Sequence, residues 1–380
     1  MYFSSDSLLP ENQQPLMITV APFGPQWLPA DYPEDISVSW KDQVQKAVDC
    51  YNAGATVLHV HVRDPKTGHI SKNFAEYCDF IGMLRQAVPR MILQIGGSIS
   101  LAPEPGKEAE WHGRDTRHML AEIDPKPDQV TVTLGTTLIN PLPLTTTDDT
   151  LGTQFAKTEI RNAYQNMVVD AAPAFYIEHL KRLRARAIQP YFSMAHVHHL
   201  EELEHLIRTG VYLGPVNHIL TAIGGSGFCG RNPFDFMEYI RRSADGSVTT
   251  MGSIWRTVAP FAAMAIALGV HIRCGIEDNI WSRKGVRMNS VQQVDQVVRL
   301  AKELKRPVAT SEQAREMSKL GVWYRSVEET LAALDLPPNR KDGQLGLMVN
   351  ETDGKLRAAT VGSDGHALAG HDVATISGQK

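Results

Sequence analysis

Cysteine is scarce, with four in 380 residues: Cys50, Cys78, Cys229 and Cys274. They are widely spaced and form no CxxC pair, so a disulfide scaffold and a thiolate zinc finger are both excluded, and reduced, buried thiols of a cytoplasmic protein are expected. No apolar run reaches the roughly 18 residues that span a bilayer, and residues 1–15 lack the basic-then-apolar build of a secretory leader. No basic block is present and the net charge is only −4, which argues against a nucleic-acid partner. The chain also has no P-loop lysine. Its one glycine-rich turn, Gly224-Gly225-Ser226-Gly227, reads equally as a phosphate cradle or as a plain tight turn.

What is present is an alternation. Short, nearly continuous apolar runs at 16–21, 56–62, 91–95, 129–134, 189–195, 218–223, 248–254 and 270–276 read as strands. Segments of helical spacing follow at 40–52, 74–88, 116–123, 174–187, 200–209, 233–242, 258–268 and 291–304. Ser39 is placed to cap the first helix and Gly54 to end it. Strands without inside–outside polarity belong to a parallel sheet covered on both faces. Eight such units in about 300 residues predict a closed (β/α)8 barrel, with an open doubly wound sheet as the runner-up. The expected layout is an N-terminal arm (1–15), a barrel (16–320) and a C-terminal extension (321–380).

Candidate chemistry gathers at two strand ends. Val57-Leu58-His59-Val60-His61 carries two histidines at i and i+2 of a strand, which point to one face and can share one metal ion. The last predicted strand ends in Arg273-Cys274-Gly275-Ile276-Glu277-Asp278. In a closed barrel strands two and eight both flank strand one, so the histidines and one of the two carboxylates can meet at the mouth. Two imidazoles and a carboxylate suit zinc, with manganese, cobalt or iron also admissible. A barrel-lining Arg273 needs an anionic partner, which favours an oxyanion or ion-pair role. The run His196, His198, His199 crosses a strand-to-helix junction and reads as solvated or capping.

These stretches resemble the β-keto acid cleavage enzymes, whose founding activity is 3-keto-5-aminohexanoate cleavage. The matching motifs are Asn52 to Arg63 (NAGATVLHVHVR), His271 to Ile280 (HIRCGIEDNI) and Arg306 to Arg315 (RPVATSEQAR), and the similarity covers about residues 16–320. It implies a zinc enzyme, usually a homotetramer. The implied reaction takes a β-keto acid and acetyl-CoA to acetoacetate and a new acyl-CoA. By the same resemblance His59, His61 and Glu277 hold the metal, Asp278 is the catalytic base and Arg273 is catalytic. Thr136, in the turn after strand four, and Gly97, after strand three, would contact substrate.

Two features depart from the family. Its catalytic serine after strand three aligns with Gly96, which leaves Ser98 as the candidate replacement. The acids that hold the founding substrate's ammonium are missing: Gln26 stands after strand one and His196 after strand five. An amino-bearing substrate is therefore not expected. A neutral, hydroxylated, aromatic or anionic side group fits better, with Gln26 and His196 as substrate-binding candidates and His196 or Arg256 suited to an anion. Two other readings stay open: a metal-dependent barrel lyase or hydrolase that uses no CoA, and a barrel that binds a metal or metabolite without turnover.

Overall fold

The computed structural model describes residues 1–97, 106–139, 146–224 and 227–341, residue 103, and the backbone of residues 99–100 and of four short strands between 348 and 368. Eight parallel strands close into a barrel: β1 Ile18–Val20, β2 Val57–Val60, β3 Ile92–Ile95, β4 Gln129–Thr133, β5 Gln189–Met194, β6 Asn217–Ala222, β7 Val248–Ser253 and β8 His271–Cys274. Each pairs with its neighbours in chain order, and β8 closes the ring on β1, with Thr19 beside both Arg273 and Val57. That closure decides for the (β/α)8 barrel over the open sheet.

The outer ring is α1 Trp40–Ala53, α2 Phe74–Ala87, α3 Arg114–His118, α4 Pro173–Ala185, α5 His199–Arg208, α6 Pro233–Arg242, α7 Val258–Ala267 and α8 Ser290–Glu303. The predicted signals act where expected. The Ser39 hydroxyl accepts from the Asp42 N–H, and Gly54 ends α1 in the left-handed region at φ 119°. α3 is shorter than its predicted helix and continues only as a 3-10 turn over Met119–Ala121.

One face of each strand feeds the main core. Ile18, Val20, Leu58, Val60, Leu93 and Ile95 are fully buried against the helices. Burying a side chain of this size contributes roughly 1.5–3 kcal/mol. Strand alternation then turns Thr19, His59, Gln94, Gln129 and Arg273 toward the barrel axis.

A second apolar cluster roofs the C-terminal mouth. Trp27 from the β1 loop, Trp255 after β7 and Ile276 and Trp281 after β8 join Phe155, Tyr164 and Met167. The last three belong to the long connection between β4 and α4, where the structure also finds short helices at Thr147–Thr150 and Thr158–Asn162. Trp27 meets Phe155 and Trp255 edge-on, with centroids 5.2 and 5.8 Å apart.

The first fifteen residues are held by backbone carbonyls. The Met1 amine donates to Ile240 O at 3.0 Å, Gln13 Nε2 to Ala267 O at 2.9 Å, and Arg306 Nε to Gln14 O at 2.9 Å. Past the barrel, α9 Ser311–Met317 and α10 Val327–Ala333 follow. Leu331 and Leu334 are buried in the barrel's own core, so this part of the chain packs on its own fold.

Candidate metal centre and active site

Two imidazoles meet one carboxylate at the barrel mouth. His59 is the third residue of β2 and His61 follows the strand's last residue, Val60, and their Nε2 atoms lie 3.2 Å apart. Glu277 Oε1 is 3.5 Å from His59 Nε2, and Oε2 is 3.5 Å from His61 Nε2. All three residues are buried, and one ligand atom from each lies within 4.8 Å of the others. His59 Nδ1 is 2.8 Å from Gln94 Oε1, and Gln94 Nε2 donates to Gln129 Oε1 at 2.9 Å. An amide oxygen can only accept, so His59 carries its proton on Nδ1 and turns the Nε2 lone pair to the centre.

This donor set fits a metal ion. Glu277 Oε2 is buried with no hydrogen-bond partner, and two ring nitrogens face each other with no acceptor between them. Burial, aided by Arg273, pushes His59 down to about 3, so its imidazole stays neutral as a ligand must. Burial alone would raise the Glu277 carboxyl, but Arg273 and the histidines pull it well below the usual carboxylate range.

The turn after β8 sets the acids. Gly275 sits at φ +124°, and a Cβ there would lie 2.4 Å from Ala21 O, so only glycine fits. The turn is pinned by Gln293 Oε1, which accepts from Gly275 N at 2.9 Å, and by Ser290 Oγ, which accepts from Ile276 N at 3.1 Å. Arg273 then grips both acids: Nε donates to Asp278 Oδ2 at 3.0 Å, and Nη2 to Asp278 Oδ1 at 2.9 Å and to Glu277 Oε1 at 2.5 Å. Burial and the neighbouring Glu277 lift Asp278 to about 6 against the pull of Arg273. One carboxylate therefore faces the histidines, and the other stands beside them on the arginine with its pKa raised toward neutrality.

The remaining candidates are more scattered. Gln26 Nε2 donates to the Glu277 carbonyl, which puts it against the centre, and its Oε1 is buried without a partner. Gly97 is half-buried, with Thr131 O 3.1 Å from where its Cβ would be. Thr136 is exposed, and its hydroxyl accepts from Ala171 N at 3.2 Å. His196 stacks on His198 with centroids 5.0 Å apart, and its Nδ1 is 3.9 Å from Cys229 Sγ, so its contacts run along the β5 and β6 loops. Arg256 Nε donates to Asp149 Oδ1 at 2.9 Å. Ser98 and the middle of the glycine-rich turn, Gly225-Ser226, lie outside the described residues.

At Gly96, where the resemblance leads one to expect a serine, the structure leaves no room for a side chain. A Cβ would lie 2.2 Å from His61 Cε1 and 2.5 Å from Nε2, so the imidazole takes the space a side chain would need. Sequence reasoning missed Gln94, whose signal was a lone amide inside the apolar run Met91-Ile92-Leu93-Gln94-Ile95. It also left Arg63 unassigned. That guanidinium is buried and donates to Phe23 O, Gly24 O and Trp27 O at 2.7, 2.9 and 3.0 Å, pinning the β1 loop that carries Gln26.

Comparison with known proteins places the chain among relatives of one kind. A family model described as beta-keto acid cleavage enzyme matches residues 15–320. The chain is 28% identical over 306 residues to a 3-keto-5-aminohexanoate cleavage enzyme of Acetoanaerobium sticklandii, covering 80% of this chain and 97% of that one. It is 24% identical to a 3,5-dioxohexanoate:acetyl-CoA acetone transferase of Paraburkholderia graminis, over 81% and 97% of the two chains. Against a 3-oxoadipate:acetyl-CoA acetyltransferase of Cupriavidus necator the identity is 25%, over 80% and 94%. Among solved structures, ObcA bound to oxaloacetate superposes with a TM-score of 0.54 at 14% identity, covering 76% of this chain and 68% of that one, a likeness of fold.

Proposed function

We propose a function from one premise: the chain belongs to the beta-keto acid cleavage enzyme family. It is a carbon–carbon bond-cleaving enzyme of the acyltransferase type. The reaction we assign converts a β-keto acid and acetyl-CoA to acetoacetate and a new acyl-CoA, on a substrate without an amino group. The observation that carries this reading is the buried His59–His61–Glu277 triad beside the Arg273–Asp278 pair.

His59, His61 and Glu277 would hold zinc, with manganese or cobalt as substitutes. The bound ion supplies Lewis-acid polarisation of the substrate's keto and carboxylate oxygens. Asp278, raised toward neutrality, takes the proton from the carbon between them. Arg273 holds that carboxylate in place and offsets the negative charge that develops nearby. The carbanion attacks the acetyl thioester and expels CoA thiolate. The thiolate then adds to the substrate's original keto carbon, and carbon–carbon cleavage gives the new acyl-CoA and the acetoacetate carbanion, which takes back the proton held by Asp278 and leaves as acetoacetate. Gln26, Gly97, Thr136 and His196 are assigned to substrate binding, and Ser98 to the role of the family serine. Support for a substrate lacking an ammonium is Gln26, a neutral amide beside the centre where the family carries an acid.

The layout assigned is an arm (1–15), a catalytic barrel (16–320) and an extension (321–380), in a cytoplasmic homotetramer. The test is a panel of β-keto acids incubated with acetyl-CoA, with acetoacetate and acyl-CoA followed by mass spectrometry. Paired formation of the two products is expected. Cleavage that proceeds equally well without CoA would overturn the assignment.

A further inference from the structure

A second polar cluster lies one strand away from the metal centre. Arg117, on α3, is 4% exposed, and its Nε and Nη2 have no hydrogen-bond partner. Its guanidinium carbon sits 3.8 Å from the centroid of the Phe175 ring, a contact that covers one face and leaves the N–H edges free. The nearby acid, Asp170, is engaged by Arg114 at 2.9 and 3.3 Å. Asp170 attracts Arg117 through space, but a buried guanidinium whose N–H groups bond no anion is costly, so its unpaired edges point to a negatively charged ligand.

Those edges border a small cavity lined by Gly97, Trp111, Thr131, Thr133 and His179 as well as Arg117. Trp111 Nε1 and Thr131 Oγ1 are also buried without partners. Among the described lining residues Arg117 is the one that carries charge: burial, with His118 and Arg117 beside it, pushes His179 down to about 3, so that ring is neutral. The cavity holds about 10 Å³, room for roughly one oxygen-sized group. One carboxylate oxygen fits; a phosphate does not. The cavity reaches from the α3–α4 packing layer, where Leu120 and Phe175 lie, to the axis-facing side of β4. Thr131 and Thr133 share the axis-facing side of β4 with Gln129, and Gly97 follows the glycine against which His61 packs.

We propose that Arg117, with Trp111 and Thr131, forms a carboxylate subsite that reads the end of the substrate remote from the metal, so that the preferred β-keto acids carry a second carboxylate. This rests on the reaction assigned above and adds a substrate class to it. The reacting end is taken by the triad and Arg273, and the cavity on the β3–β4 side is left for the tail.

The experiment is calorimetric binding to the full-length, metal-loaded protein without acetyl-CoA. It compares a six-carbon β-keto diacid with the six-carbon β-keto acid that ends in a methyl group. The wild type should bind the diacid at least tenfold more tightly. Arg117→Met should bring the two within about twofold by weakening the diacid alone, and Arg117→Lys should keep part of the preference. No preference in the wild type, or equal weakening of both acids in Arg117→Met, would overturn the subsite. If Arg117→Met does not fold, Thr131→Val on the facing wall decides: a roughly threefold loss confined to the diacid supports the subsite, and an unchanged ratio overturns it. Turnover with acetyl-CoA is measured separately. A protein that binds the diacid selectively but forms no acyl-CoA from either acid keeps the subsite and loses the assigned reaction.

Discussion

Restoring a side chain at Gly96 should cost the protein its metal. A Cβ there would stand 2.2, 2.5 and 2.9 Å from Cε1, Nε2 and Nδ1 of His61, all inside the contact limit for such atoms. The ring is wedged in a buried site, so Gly96→Ala or Gly96→Ser must rotate it away. That breaks the 3.2 Å approach to His59 and the 3.5 Å approach to Glu277. Loss of a residue that merely orients a ligand typically weakens metal binding roughly 10–100-fold, and moving a ligand itself should exceed that, to about 100-fold or more. Overpacking adds roughly 1–3 kcal/mol of destabilisation, a fall of roughly 2–5 °C in melting temperature for a domain of about 300 residues. Competitive titration with a chromophoric chelator gives the affinity, and a thermal scan of the apo protein isolates the packing cost. A Gly96→Ser protein with wild-type affinity and an unchanged apo midpoint would refute the assignment of His61 as a ligand in this ring position.

Gln94→Leu removes the acceptor that fixes the His59 tautomer; metal affinity should fall roughly 10–100-fold by chelator competition, and an unchanged affinity would show that Gln94 does not orient the ligand. Asp278→Asn should retain stoichiometric metal by elemental analysis and lose about 10²–10⁴-fold in turnover, because an amide cannot take the proton; near-normal turnover would require another base. Asp128 carries a pH prediction for the opposite side of the fold. Burial alone would raise its carboxyl, but Arg315 and Arg85, each 2.8 Å away, hold it below the usual range. A depressed carboxylate stabilises the fold above about pH 4 and loses that contribution as the pH falls through its titration. Asp128→Asn should lower the unfolding free energy at pH 7 by roughly 1–3 kcal/mol, the range for hydrogen bonds to a charged group, and flatten the acid limb of the denaturation curve. Parallel acid limbs for both proteins would count against it.

How much of this was legible in advance depended on the distance over which each signal acts. The barrel was legible because each strand is a run of locally apolar residues, and the caps because Ser39 and Gly54 act within one helix turn. His59 and His61 declared a shared face through strand alternation alone. Glu277 and Asp278 are neighbours with the same chemistry, and periodicity cannot divide their roles. The family resemblance implies a split, and the Gly275 turn with the Arg273 fork sets Glu277 toward the histidines and Asp278 on the arginine. Gln94 was hidden because its meaning lies in register: beside His59 on β3 it is an acceptor, whereas in the linear sequence it is one amide in an apolar run. The packing of the β4–α4 connection was not legible because Phe155, Tyr164 and Met167 have no shared local period. They meet only over the mouth, against tryptophans from the loops after β1, β7 and β8. Gly96 shows the same limit from the other side. By the family resemblance a serine is expected at Gly96, and only three dimensions reveal that the imidazole of His61 occupies the space its side chain would need.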